Sequence, residues 1–313
     1  MSLIEKAVQR LDALKQASGV EEQAAPKAER VVSEVAHDPV LDAGRTSSSV
    51  PLADPVPTPN PSVSREVRID LQRLGAMGMV TPDVPRSAIA EEFRLIKRPL
   101  LRNATVSGPA EIENGSLIMV TSAMPGEGKS FTAINLAVSM AMELDYTVLL
   151  VDADVSRPSV LNRLGLPPER GLMDVLSGEV SDLGDVLLRT NIEKLSILPA
   201  GMPHPRATEM LASESMNRLL EQIANRYADR IIVFDSPPLL VTTEARVLAT
   251  HMGQVVIVVE AGRTTHATVK QALATIENCP VKLMVLNKSR ENAAGSYYGY
   301  GYGYGAEPRS EAA

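Results

Sequence analysis

Gly126, Gly128, Lys129 and Ser130, followed downstream by Asp152, Asp154 and Asp235, are residue types that together can hold a phosphate chain and a divalent cation. In Ala123-Met-Pro-Gly-Glu-Gly-Lys-Ser130 the backbone N–H groups of Gly126, Glu127, Gly128, Lys129 and Ser130 can turn inward at the start of a helix, which makes an anion cradle. Lys129 would add positive charge at the outer phosphates, and the Ser130 hydroxyl suits a magnesium ligand. Phe131, the next residue, is counted with this cofactor-binding set. The stretch departs from G-x-x-x-x-G-K-[ST] once, with Ala123 in the first glycine position. Alanine is strained there if the position needs positive φ, and costs little if it does not. A chance glycine-rich turn is the plain alternative.

A magnesium–triphosphate pair takes a hydroxyl and one or two carboxylates from a protein, with water completing the octahedron. Ser130, Asp152 and Asp235 can supply these. Asp154, two residues beyond Asp152 in extended chain, points to the same side and could assist the metal or orient a nucleophile. Lys129 and Arg157 are the cations best placed by type to offset charge on a transferring phosphoryl group. The bland readings are helix caps for the acids and a surface ion pair for Arg157.

These groups need elements that bring them to one edge. Leu117–Thr121, Tyr146–Asp152, Leu195–Leu198, Arg230–Asp235, Gln254–Val259 and Lys282–Leu286 read as strands. Helical patterns alternate with them at 131–141, Glu214–Tyr227, Thr243–Ala249 and Thr265–Ile276. Near-continuous Val/Ile/Leu strands between helices predict an α/β fold, a mostly parallel sheet covered by helices on both faces. Ligands of such sheets sit beyond the carboxyl ends of the strands, where Asp152, Asp154 and Asp235 join the loop at 123–130.

The 313 residues carry 44% hydrophobic residues, enough for a sizeable core, and a net charge of −7, which argues against a nucleic-acid partner. No apolar run is long enough to span a membrane, and the start lacks a secretory signal, so a cytoplasmic protein is expected. The single cysteine, Cys279, rules out an internal disulfide and has no His or Cys neighbour suggesting metal. Residues 1–17 have the periodicity of an amphipathic helix, suited to a partner, a weakly held membrane surface or its own domain. Residues 18–86, rich in Pro, Ser and Ala, read as a disordered linker, with a short helix within 63–79. The folded domain is expected over 87–290, opening with a capping box of Ser87 and Glu91. Residues 291–313 read as a flexible tail.

That tail contains five of the seven tyrosines, Tyr297, Tyr298, Tyr300, Tyr302 and Tyr304, separated by glycines. Such a segment cannot build a core. Beside a phosphate site it looks like a phosphoryl acceptor; by itself it could equally be a low-complexity tail that self-associates. From Lys288 to Tyr304 an extended chain spans at most about 50 Å, enough to reach a neighbouring subunit.

Over residues 88–304 the sequence resembles the bacterial tyrosine kinases of exopolysaccharide assembly, and within them the stand-alone forms associated with exosortase-type clusters. Pro125-Gly-Glu-Gly-Lys-Ser130 resembles their Walker A motif, Leu149-Leu-Val-Asp-Ala-Asp154 their Walker A-prime motif, and Ile231-Ile-Val-Phe-Asp-Ser-Pro-Pro238 their Walker B motif. Glu91-x-x-Arg94-x-x-Lys97 is similar to the E-x-x-R-x-x-R element of ring formation, with Lys, which lacks the planar guanidinium fork, in the last place. Arg157 stands one residue later than the family's arginine. The resemblance implies a P-loop NTPase fold, with ATP and magnesium as cofactors. Asp152 would ligate the metal and help deprotonate tyrosine, Asp235 would hold the metal through water, and Asn287 would lie at the base. It also implies autophosphorylation of the tail in trans and a ring of copies, octameric in the family. Expected partners are a separate membrane-bound chain-length regulator, which would recruit the chain to the inner face of the plasma membrane, and a phosphotyrosine phosphatase. The rivals are a partition-type ATPase, which would carry a second lysine where Met124 stands, and a nucleotide-gated scaffold of a polysaccharide export complex.

Overall fold

The structure, a computed structural model, describes residues 65–225 and 230–289. The chain divides into two compact units, Met1–Pro57 and Thr58–Ala313. The first unit, with the expected helix at 1–17, and the tail from 291 onward lie outside the described residues. Among the described residues no helix is long and apolar enough to cross a membrane.

Eight strands form one sheet: β1 (Arg65–Val67), β2 (Leu117–Ser122), β3 (Thr147–Asp152), β4 (Leu188–Thr190), β5 (Leu195–Leu198), β6 (Arg230–Asp235), β7 (Gln254–Glu260) and β8 (Val281–Asn287). Their spatial order is β1-β4-β5-β3-β6-β2-β7-β8. β4 runs antiparallel to β5, and β1 runs parallel to β4, so these two oppose the other six, which are mutually parallel.

The central strands are apolar at nearly every position because both faces are covered. Met119, Leu149, Val151, Phe234 and Ile257 face one core, shared with helices α5 (Leu172–Leu176), α6 (Ala207–Leu211), α7 (Glu214–Asn225) and α8 (Thr243–Ala249). Their alternates Ile118, Val120, Leu150, Val233 and Val256 face a second core, shared with α1 (Leu71–Ala76), α2 (Ala88–Thr105), α3 (Lys129–Ala141) and α4 (Val160–Leu164). A further helix, α9 (His266–Ala274), joins β7 to β8.

The folded domain begins well before residue 87, which corrects the expected linker boundary at 86. β1 pairs with β4 in register Arg65↔Leu188 to Val67↔Thr190. Ile69, Leu74, Met79 and Val80 are buried. Side-chain acceptors far along the chain fix this stretch: Asn191 Oδ1 takes the Ile69 N–H at 2.7 Å, and Asn135 Oδ1 takes the Val80 N–H at 2.6 Å. The capping box is also corrected. Ser87 Oγ accepts from Ala90 N at 3.3 Å, but Glu91 stands one position too late to reciprocate and pairs with Arg94 instead.

Candidate functional site

β2 ends in a tight loop whose shape depends on two glycines in the left-handed region, Gly126 at φ +87° and Gly128 at φ +105°. Gly128 also admits no side chain, since a Cβ there would lie 2.0 Å from Asn287 Nδ2. Ala123 has no positive φ and is fully buried, so the departure from glycine imposes no backbone strain. α3 starts at Lys129 with Gly128 at its N-cap and no side-chain cap, which leaves its first N–H groups open to an anion.

The acids converge as the strand reading required. Asp152 and Asp235 end β3 and β6 in direct register. Lys129 Nζ lies 2.5 Å from Asp154 Oδ2 and 3.8 Å from Asp235 Oδ1. Ser130 Oγ accepts from the Ser159 hydroxyl at 2.9 Å. Asp152 is more occupied than its expected role as a metal ligand required. Its Oδ2 accepts from the N–H groups of Ser159 and Val160, both at 3.0 Å, and so anchors the start of α4. Its Oδ1 takes only a long 3.3 Å bond from Asp154 N.

Burial, with the facing Asp235 carboxylate next, pushes Asp152 up to about 7; the two backbone bonds oppose this. Asp235 is likewise raised by burial, to about 6, with Lys129 and the nearby Ser130 hydroxyl pulling it down. Neither Asp235 oxygen has a well-formed hydrogen bond, although the residue is completely buried. A buried carboxylate with both oxygens unsatisfied, beside a serine hydroxyl at the phosphate loop, fits a hydrated cation. Among the described residues no group of three or more His, Cys, Asp or Glu could hold a metal by itself.

The loop, Lys129, Ser130 and Asp154 line a cavity of about 430 Å³ with Arg157, Ser159 and Arg163. The Arg157 side chain is exposed at its mouth, and its backbone N–H caps Asp154 at 3.1 Å. Arg163, on α4, was not singled out in the sequence. Its charge also favours ionised Asp235, yet it lies on a five-residue helix with no motif around it.

Three of the expected residues are held by contacts within the chain. Phe131 packs edge-to-face on Phe93, with ring centroids 6.4 Å apart, so only its backbone faces the loop. Asn287 Nδ2 donates to Glu127 O at 2.9 Å and thus grips the loop's backbone. Lys97, expected on an oligomer surface, is buried within its own subunit: Nζ is 2.8 Å from Glu143 Oε1 and donates to Ser139 O. The helical period that puts Phe93, Lys97 and Leu100 on the inner face of α2 leaves Glu91 and Arg94 on the outer one. The tyrosines at 297–304 lie outside the described residues.

A family profile described as an AAA domain matches residues 115–289. The putative tyrosine-protein kinase CapB of Staphylococcus aureus is 32% identical over 218 residues, covering 69% of this chain and 91% of that protein. Tyrosine-protein kinase YwqD of Bacillus subtilis is 32% identical over 219 residues, covering 69% and 88%. Among solved structures, the chimerical protein CapA2B2 superposes with a TM-score of 0.60 at 28% identity, covering 73% of this chain and 95% of that one. The kinase domain of Escherichia coli tyrosine kinase ETK does so with a TM-score of 0.59 at 29% identity, covering 71% and 86%.

Proposed function

Because this chain belongs to the bacterial tyrosine kinases of exopolysaccharide biosynthesis, we propose that it transfers the γ-phosphoryl group of ATP to its own tail tyrosines, Tyr297, Tyr298, Tyr300, Tyr302 and Tyr304, mainly on a neighbouring copy. The observation that carries this reading is the meeting of Lys129, Asp154 and Asp235 at the phosphate loop, with Asp152 in register across the strand pair.

The loop amides and Lys129 hold the triphosphate, and Ser130 and Asp235 present oxygens to magnesium, with Asp152 Oδ1 beside them. Magnesium, when bound, offsets charge on the β- and γ-phosphate oxygens. Asp152 takes the phenolic proton as the tyrosine oxygen bonds to the γ-phosphorus and the bond to the β–γ bridging oxygen breaks; ADP is the leaving group. A carboxylate pushed up to about 7 is a competent base near neutral pH. Arg157 and Arg163 stand at the cavity mouth, where they can offset charge on the transferring group.

Each added phosphate brings roughly −1.5 to −2 charges, so a fully modified tail would add several times that to a chain already at −7. Repulsion among clustered tails then favours release of the ring, whose contacts include Glu91 and Arg94 on the outer face of α2. A separate membrane-bound chain-length regulator activates the chain and holds it at the inner face of the plasma membrane, and a phosphatase resets the tail.

The test mixes two purified variants with ATP and magnesium, in the presence of a membrane fragment of the regulator. One carries Lys129→Met with an intact tail, and the other an intact site with all five tail tyrosines→Phe. Phosphotyrosine mapped to 297–304 of the Lys129→Met chain is the expected result. No phosphotyrosine there, with the wild-type chain equally unmodified, refutes the acceptor assignment.

A further inference from the structure

The side chain of Glu127 does not face the phosphate. It is buried, with Oε2 accepting from Met124 N at 2.7 Å and Oε1 accepting from the Thr264 hydroxyl. The Thr264 oxygen accepts in turn from Glu260 N at 3.2 Å, so its hydroxyl both donates and accepts. On the same side of the loop, Lys288 Nζ donates to Gly126 O at 2.7 Å, next to the Asn287 bond to Glu127 O, and pairs with Glu260 Oε1 at 3.2 Å. Lys288 is held at φ +58°, a left-handed conformation that a residue with a Cβ adopts only when its surroundings dictate it.

The bonds from Lys288 and Asn287 act on two consecutive peptide planes, while the Glu127 carboxylate, held by Thr264, fixes the Met124 N–H at the loop's start. In a planar trans peptide the C=O of one residue and the N–H of the next point in opposite directions. Drawing the carbonyls of Gly126 and Glu127 outward therefore aims the N–H groups of Glu127 and Gly128 inward, at the position of the phosphate. Glu127, Thr264 and Lys288 do not line the nucleotide cavity.

We propose that Glu127, Thr264 and Lys288 are positioning residues: they clasp the phosphate loop to the β7–α9 turn and to the end of β8, and so set its amides before the nucleotide arrives. The proposal rests on the nucleotide-binding reading of this site. It also joins the loop to the strand from which the acceptor tail departs, since Lys288 is the first residue after β8.

Direct titration of the full chain with a fluorescent ADP analogue, alongside steady-state phosphotransfer, tests this. Thr264→Val removes the hydroxyl at nearly constant volume, and is expected to weaken ADP binding and raise the KM for ATP about tenfold, with kcat within about twofold. Thr264→Ser should restore both. Lys288→Met, at an exposed residue, should weaken ADP severalfold and serves as the second probe if Thr264→Val does not fold. Wild-type ADP affinity in folded Thr264→Val and in Lys288→Met overturns the proposal, as does a loss confined to kcat. Because ADP binding requires no transfer, a chain that binds ADP normally but makes no phosphotyrosine counts against the kinase mechanism alone.

Discussion

Lys129 Nζ lies 2.5 Å from Asp154 Oδ2, with both side chains largely buried. The charge that phosphate will require is thus already engaged by an acid, and nucleotide must compete for it. Asp154→Asn relaxes that competition. The expected outcome is ADP affinity raised severalfold, with phosphotransfer lowered at least about tenfold as the lysine loses its guide. A calorimetric titration that finds weaker ADP binding in this variant would contradict the exchange.

The raised carboxylates make stability depend on pH with a definite sign. Unfolded, Asp152 and Asp235 titrate near their ordinary value of about 3.9; folded, they do so at about 7 and about 6. Between roughly pH 4 and pH 7 the folded chain therefore binds more protons, and stability contributed by these groups falls as pH rises. Asp235→Asn should raise the nucleotide-free melting temperature at pH 8 by a few degrees and flatten its decline from pH 5. A lower melting temperature at pH 8 in that variant would show that the charge is compensated.

The same ionisation governs turnover. With Asp152 as the base, phosphotransfer at saturating ATP and magnesium should climb within the range from about pH 5 to pH 8 and then level off. Bound magnesium favours the carboxylate and moves the rise toward lower pH. A flat profile over that range would remove Asp152 from proton transfer.

Lys97 and Arg94 should separate stability from assembly. Burial lowers the Lys97 pKa, though Glu143 opposes the shift. Removing Lys97 takes the donor from the Ser139 carbonyl and the nearer partner from Glu143, which keeps only Arg98 at 3.7 Å. Lys97→Met is expected to cost about 2–3 kcal/mol in urea unfolding, less than a fully buried pair because Glu143 keeps some solvent contact. Arg94→Ala, on the outer face, should cost under about 0.5 kcal/mol while shifting the oligomer distribution in sedimentation. Equal stability losses would mean that the two positions are not distinguished by burial.

Leu74→Ala tests where the domain begins. Leu74 is 1% exposed in the second core, so truncation should cost about 2–5 kcal/mol. A neutral result would return residues 65–86 to the linker.

What the sequence made legible follows from how each feature is encoded. β2, β3, β6 and β7 are sandwiched between two cores and so read as continuous apolar runs. The acids at their ends needed only that reading to be brought together. β1 and β4, three residues each, offer Arg-Glu-Val and Leu-Arg-Thr, which carry no run or alternation; β1 is a strand because it pairs with β4, and β4 because it also pairs with β5. Lys97 matched a surface motif by spacing, and only the helix's rotation against α3 placed it inside. The Glu127–Thr264 bond joins residues 137 apart in the chain, and no local pattern announces it.

β1 opposes the six parallel strands, so its first residue stands at their carboxyl ends, where Arg65 pairs with Glu169 at 2.8 Å. The chain thus enters its described domain at the rim from which β8 delivers Lys288, though at the opposite edge of the sheet. Tension applied through either flanking segment is borne by the rim that carries Lys129 and the three aspartates.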